Sequence, residues 1–157
     1  MKAIVVTGTP GTGKTTVAKK IAKMLGYTYV DVNKVIAAHK LSEGYDRKRR
    51  CKVIDVKKLN KWLGTIIENS KKKVVIDSHL AHYLPKEIVD KCVVTKCNLK
   101  LLSMRLKKRG YPEHKIKENL ECEIFDICLN EAKELGHKLI VLDTDKKIDY
   151  KKIIKKF

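Results

Sequence analysis

Short apolar runs alternate with stretches whose apolar residues recur every three or four positions, and this alternation organises the chain from end to end. The runs Ala3–Thr7, Thr28–Val32, Lys73–Asp77, Lys91–Thr95 and Lys138–Leu142 predict five strands. Val17, Ala18, Ile21, Ala22 and Leu25 share one face of a first helix, which Gly26 stops. A second helix starts near Asp55 and turns Val56, Leu59, Leu63, Ile66 and Ile67 to one side. A third follows Asn98, a good N-cap, with Leu101, Leu102 and Leu106 inward. The longest starts at Pro112 and carries Ile116, Leu120, Ile124, Ile127 and Ala132 before Gly136. A lysine-rich helix at about Tyr150–Lys156 closes the chain. Strands alternating with helices imply the α/β class, a five-stranded parallel sheet flanked by helices. Two stretches interrupt the pattern. Val35–Lys52 is polar, contains Gly44 and a basic run, and reads as mobile; Lys107–Glu113 reads as a short basic turn between helices. With no repeat, linker or low-complexity tail, residues 1–157 read as one domain with two small insertions.

Composition adds limits. A chain of 157 residues with 43% hydrophobic content can bury a proper core. No apolar stretch approaches the roughly 20 residues that span a bilayer, so no membrane association is expected. The first strand begins at Ala3 and leaves no room for a signal peptide, which predicts a soluble cytoplasmic protein, nuclear if eukaryotic. Cys51, Cys92, Cys97, Cys122 and Cys128 form no C-x-x-C pair and read as thiols in a reducing compartment. The formal charge of +18 leaves two readings open: attraction to a polyanion such as nucleic acid, or a generally lysine-rich proteome.

The candidate chemistry begins at Gly8-Thr9-Pro10-Gly11-Thr12-Gly13-Lys14-Thr15-Thr16, which fits the phosphate-binding pattern G-x-x-x-x-G-K-[ST]. Its glycines let backbone N–H groups turn inward around phosphates, and the helix that follows points its positive end at the same anion. The pattern lies between an apolar strand and a helix, the context a P-loop requires. Lys14 is expected to reach the β- and γ-phosphates of ATP, Thr15 to ligate Mg2+, and Thr16 to touch the α-phosphate. Lys73–Asp77 is an apolar strand ending in a carboxylate, so Asp77 is expected to hold Mg2+ through water or orient an attacking group; its alternative is a turn cap. His79, two residues on, either positions water or senses the γ-phosphate, or is an ordinary loop histidine, and His82 reads as surface.

Only five of the 36 basic residues are arginines, and they fall in two places, in or beside the two insertions: Arg47, Arg49 and Arg50, then Arg105 and Arg109. Arginine's planar fork binds phosphate with two bonds, so the clusters predict two segments closing over phosphates, unless they are an accident of composition. The N-K-x-D signature of a GTPase is missing, because Asn33-Lys34-Val35-Ile36 lacks the aspartate. A small P-loop domain with one insert after the second strand and one late suits a nucleoside monophosphate kinase. One insert would hold the acceptor and the other would exclude water.

Further pieces of sequence, in order, are Glu43-Gly44-Tyr45-Asp46, Val75-Ile76-Asp77-Ser78-His79, Arg109-Gly110-Tyr111 and Asn119-Leu120-Glu121-Cys122-Glu123-Ile124-Phe125. Together with the P-loop they resemble the atypical (isoenzyme six) adenylate kinases of archaea and eukaryotic nuclei, which also act in small ribosomal subunit assembly. The resemblance implies a P-loop NTPase fold with a monophosphate-binding segment at about 32–55 and a lid at about 108–118. It implies that Gly11, Gly13, Lys14, Thr15, Thr16 and Arg109 contact the triphosphate nucleotide, and that Asp77 and His79 form a D-x-H element linked to hydrolysis. Lys14, Asp77, His79 and Arg109 would then be catalytic, and Arg47, Arg49 and Arg50 would meet the monophosphate. It further implies transfer from ATP to AMP or related monophosphates with accompanying ATPase activity, and partnership with ribosomal protein uS11 and small-subunit rRNA. The alternative within the same resemblance is an ATPase switch in ribosome assembly with little kinase role. The basic run Arg47-Lys48-Arg49-Arg50 departs from the more acidic segment expected of eukaryotic relatives.

Overall fold

The computed structural model describes residues 1–47 and 51–157. Five parallel strands form the main sheet: β1 (Ala3–Thr7), β2 (Thr28–Asp31), β5 (Val74–Asp77), β6 (Val89–Lys96) and β7 (Leu139–Asp143), in spatial order β2-β5-β1-β6-β7. The P-loop NTPase architecture expected from the sequence is therefore present, and the strand carrying the phosphate loop lies at its centre.

Alternation along β1 explains the layers. Successive side chains of a strand point to opposite faces, so Ala3 and Val5 enter one core while Ile4 and Val6 enter the other. The first core is covered by α2 (Val32–Ala38), α3 (Val56–Asn69) and α6 (Ile127–Glu134), through Val32, Ile36, Leu59, Leu63, Ile67 and Ala132. The second is covered by α1 (Lys14–Leu25) and α7 (Tyr150–Ile154), through Val17, Ala18, Ile21, Ala22 and Ile153. A third cluster joins α4 (Leu99–Lys108) to α5 (Glu113–Ile124) through Leu102, Leu106 and Ile116. Helix starts are fixed by side-chain caps: Asp31 accepts from the Asn33 N–H, Asp55 from Lys57 and Lys58, and Asn98 from Leu101.

Two stretches depart from the expected pattern of elements, each for a physical reason. The stretch Val35–Lys52, to which the sequence assigns no regular element, takes in the end of α2 and most of an antiparallel pair, β3 (Ser42–Asp46) on β4 (Cys51–Ile54), with Tyr45 opposite Lys52. Its strands lack apolar alternation because the pair meets the core only at its base, through Ile54, while Glu43, Gly44, Tyr45 and Val53 are all exposed.

The long helix after Pro112 is broken at Phe125-Asp126, and Asp126 adopts a left-handed conformation with φ 51°. Charge wins over periodicity there. The Asp126 carboxylate pairs with Lys96 on β6, and Glu123 is drawn into the interior within 4.0 Å of the same ammonium. In exchange Ile124, Phe125 and Ile127, two of which the periodicity turned inward, are exposed.

Leu63 is fully buried on α3 against the sheet. Leu63→Ala is expected to cost about 2–5 kcal/mol through lost transfer energy and a residual cavity. Urea unfolding would report this as a lower midpoint at unchanged slope.

Candidate functional site

The loop between β1 and α1 is pinned from three sides. Gly8 follows β1 with φ +144°, and a Cβ there would lie 2.5 Å from Thr95 Oγ1 and 2.6 Å from the Thr95 carbonyl oxygen. Gly11 has φ +91°, and its missing Cβ would meet Leu102 at 2.8 Å. Only glycine permits this backbone path between β6 and α4. The Thr12 and Thr95 hydroxyls lie 2.7 Å apart, and Thr144, in the turn after β7, donates to the Thr12 carbonyl at 2.7 Å. From α4, Arg105 Nη1 donates to the Gly11 carbonyl at 3.2 Å. The loop is thus fixed before any anion arrives, and α1 begins at Lys14 with its free N–H groups facing the turn.

Lys14 Nζ donates to the Thr9 carbonyl at 3.1 Å. Burial pushes its ammonium down to about 8, against the pull of Asp77; the charge of Arg109 adds to the lowering. Thr15 Oγ1 donates to Asp77 Oδ2 at 2.6 Å, and the Tyr29 hydroxyl donates to the same oxygen at 2.8 Å. Burial and that carboxylate together raise the Tyr29 phenol well above its ordinary value.

This juxtaposition follows from register. Val6 pairs with Asp77 across β1 and β5, and Asp31 pairs with Asp77 across β2 and β5, so the carboxylate emerges beside the phosphate loop. A hydroxyl and a carboxylate at this spacing are two hard oxygen donors. They fit Mg2+, which takes one or two protein oxygens and completes its shell with water and phosphate.

His79 stands accessible beyond the end of β5. Partial burial and then the charge of nearby Lys14 lower its imidazole, so it is neutral at pH 7. Arg109 is exposed and lines, with Gly13, Thr16, Arg105, Thr144 and Tyr150, a cleft of about 700 Å³. Ile148 and Val17 give this cleft an apolar wall.

The structure therefore gathers Gly11, Gly13, Lys14, Thr15, Thr16, Asp77, His79 and Arg109 around one loop. Arg47 stands exposed in the hairpin turn after β3, while Arg49 and Arg50 lie outside the described residues. The reading of His82 as surface is wrong: the imidazole is 1% exposed, between Thr7 and Glu131.

The sequence profile of a family described as AAA domain matches residues 4–126. The adenylate kinase isoenzyme 6 homolog of Caenorhabditis elegans is 39% identical over 131 residues, 83% of this chain and 72% of that protein. The chain belongs to the adenylate kinase isoenzyme 6 family. The homolog from Dictyostelium discoideum is 33% identical over 141 residues, 89% of this chain and 79% of that protein. Among solved structures, shikimate kinase from Bacteroides thetaiotaomicron superposes with a TM-score of 0.65 at 14% identity, covering 99% of this chain and 95% of the other. That likeness concerns the fold.

In this isoenzyme 6 family member the sequence reading missed Thr144, Ile148 and Tyr150, all in the cleft wall. The available signal was positional: a turn just past the carboxyl end of a strand in an open α/β sheet is where ligands bind.

The free Lys14 ammonium loses its proton as pH rises through about 8, whereas one bonded to phosphate keeps it. ATP binding above that pH must then take up a proton. The association constant is expected to hold steady from pH 6.5 to 7.5 and to fall by up to about tenfold per pH unit above about 8. Calorimetric titration across that range checks this, and an affinity unchanged at pH 9.5 contradicts it.

Proposed function

We propose that the protein transfers the terminal phosphoryl group of ATP to a nucleoside monophosphate, AMP foremost, with accompanying ATP hydrolysis. The observation that carries this reading is the contact of Thr15 with Asp77 at the foot of a rigid phosphate loop, beside a cleft edged by Arg105 and Arg109. The printed names of the isoenzyme 6 relatives support the acceptor class.

In such a transfer the bond from the γ-phosphorus to its bridging oxygen breaks, and a bond from an oxygen of the acceptor's phosphate forms. The protein's work is positioning and charge compensation. The loop N–H groups and the α1 amino end hold the phosphates, and Lys14 leaves the Thr9 carbonyl to bridge the β- and γ-phosphates. Arg109 approaches from the end of α4 to offset charge on the transferring group. Thr15, and Asp77 through water, would hold Mg2+, which when bound supplies further neutralisation of the β- and γ-oxygens. The acceptor would lie toward α2, the β3–β4 hairpin and α3, with Arg47 exposed there to meet its phosphate; Arg49 and Arg50, outside the described residues, are assigned the same role from the sequence. A neutral, accessible imidazole at His79 suits proton transfer to or from water, which supports the hydrolytic side reaction.

The second reading, an ATP-driven role in late small-subunit rRNA maturation with ribosomal protein uS11, is favoured by the charge of +18, which suits a protein working beside nucleic acid. The two are compatible.

The test is ADP formation from Mg2+ and ATP with and without excess AMP. AMP is expected to accelerate it strongly, Lys14→Ala to abolish it, and Asp77→Asn to slow it by at least about a hundredfold while nucleotide still binds. Full activity in Lys14→Ala would overturn the site, and indifference to AMP would overturn the acceptor.

A further inference from the structure

The turn that carries His79 away from Asp77 is held from below by a network that no part of the phosphoryl-transfer chemistry uses. The backbone after β5 curls through a 3-10 turn at Ala81–Tyr83. Its entry is closed by Ser78, whose N–H donates to the Val6 carbonyl at 3.2 Å and whose hydroxyl accepts from the Leu80 N–H at 3.0 Å. His82 then points back into the protein. Its Nε2 lies 2.8 Å from Glu131 Oε2 on α6, and its Nδ1 lies 2.8 Å from Thr7 Oγ1, one residue before Gly8.

The tautomer follows from the partners. A carboxylate can only accept, so Nε2 carries the hydrogen, and Nδ1 of the neutral ring accepts from the Thr7 hydroxyl. Tyr83 brings a second donor to the same oxygen, its hydroxyl 3.0 Å from Glu131 Oε2. The carbonyls of the turn are taken as well. His137 Nε2 donates to the His82 carbonyl at 2.7 Å, and Asn60 Nδ2, from α3, donates to the Tyr83 carbonyl at 2.7 Å.

The arrangement is costly to bury and unnecessary for packing alone, since an apolar side chain at 82 would fill the same space without needing partners. What it does is fix one strand-end turn against three elements simultaneously: β1 at the mouth of the phosphate loop, α6 behind it, and α3 on the proposed acceptor side. The turn so fixed presents His79 beside Lys14 and continues directly from Asp77.

We propose that His82 and Glu131 form a positioning pair for phosphoryl transfer, holding the 78–83 turn against Thr7 so that Asp77 and His79 stay aligned with the phosphate loop. The proposal rests on the function read from that loop and adds two residues that act through the turn rather than through the loop itself. A misplacement of the order of 1 Å in such a site costs up to about a hundredfold in rate.

The test centres on Glu131, which is half-exposed and removable without opening the core, with His82→Ala as companion. Glu131→Ala is expected to lower AMP-dependent kcat by at least about tenfold while the KM for ATP stays within about twofold. Glu131→Gln retains an oxygen able to accept from both His82 and Tyr83 and is expected to restore most of kcat. The double variant His82→Ala, Glu131→Ala should be no slower than the slower single, because the two act as one unit. A Glu131→Ala protein with a lower melting temperature but wild-type kcat would reduce the pair to a structural role and overturn the proposal.

Amide hydrogen exchange supplies a readout independent of turnover. Residues 78–84 in Glu131→Ala should exchange faster while β6 and α1 do not, and unchanged exchange there also overturns the proposal. If the wild-type protein itself shows no AMP-dependent transfer, the proposed function fails, and the exchange result and the hydrolysis rates of the same variants still decide the positioning role.

Discussion

A triply or quadruply charged anion can be held by neutral backbone only where several N–H groups converge on one point, and the turn between β1 and α1 is built around that constraint. Convergence requires a left-handed path that β-carbons would block, as at Gly8 against Thr95 and Gly11 against Leu102. It also requires a rigid surround, because a loop that relaxes toward water no longer concentrates its dipoles. The fold answers with a central strand buried on both faces and with hydroxyls and a guanidinium from β6, the turn after β7 and α4 tied to the loop's own carbonyls and hydroxyls. Placing β1 in the middle of the sheet then decides its neighbour. β5 lies alongside, and the register that pairs Val6 with Asp77 brings a carboxylate to the hydroxyl of Thr15.

The frame of this arrangement is legible in the sequence because each part of it is local. Strand β1 is a continuous apolar run, the glycines have fixed spacing, and Asp55 and Asn98 announce the helices they cap. Asp77 is legible for the same reason, as a carboxylate that ends an apolar run. The hairpin β3–β4 is not, since it touches a core only through Ile54 at its base and its strands need no apolar alternation.

The break at Asp126 and the burial of Glu123 and His82 escape for a different reason. Each depends on a partner far along the chain: Lys96 for the two carboxylates, and Thr7 and Glu131 for the imidazole. A helical period records what a segment prefers by itself, and a buried ion pair or hydrogen bond to a distant element overrides it. His82 is instructive, because a histidine between Ala81 and Tyr83 carries nothing in its neighbours that distinguishes a surface residue from the centre of a buried network.

The central claim is that the phosphate loop, Asp77 and the adjoining cleft hand the terminal phosphoryl group to a second nucleotide rather than chiefly to water. Following the phosphoryl group itself tests this most directly. ATP labelled at the γ-phosphate, with Mg2+ and unlabelled AMP, would be incubated with the protein and the label located at early times. The account predicts that most of the label appears in the β-phosphate of newly formed ADP, with a minor fraction as inorganic phosphate. Label released almost wholly as inorganic phosphate, at a rate indifferent to AMP, would contradict it.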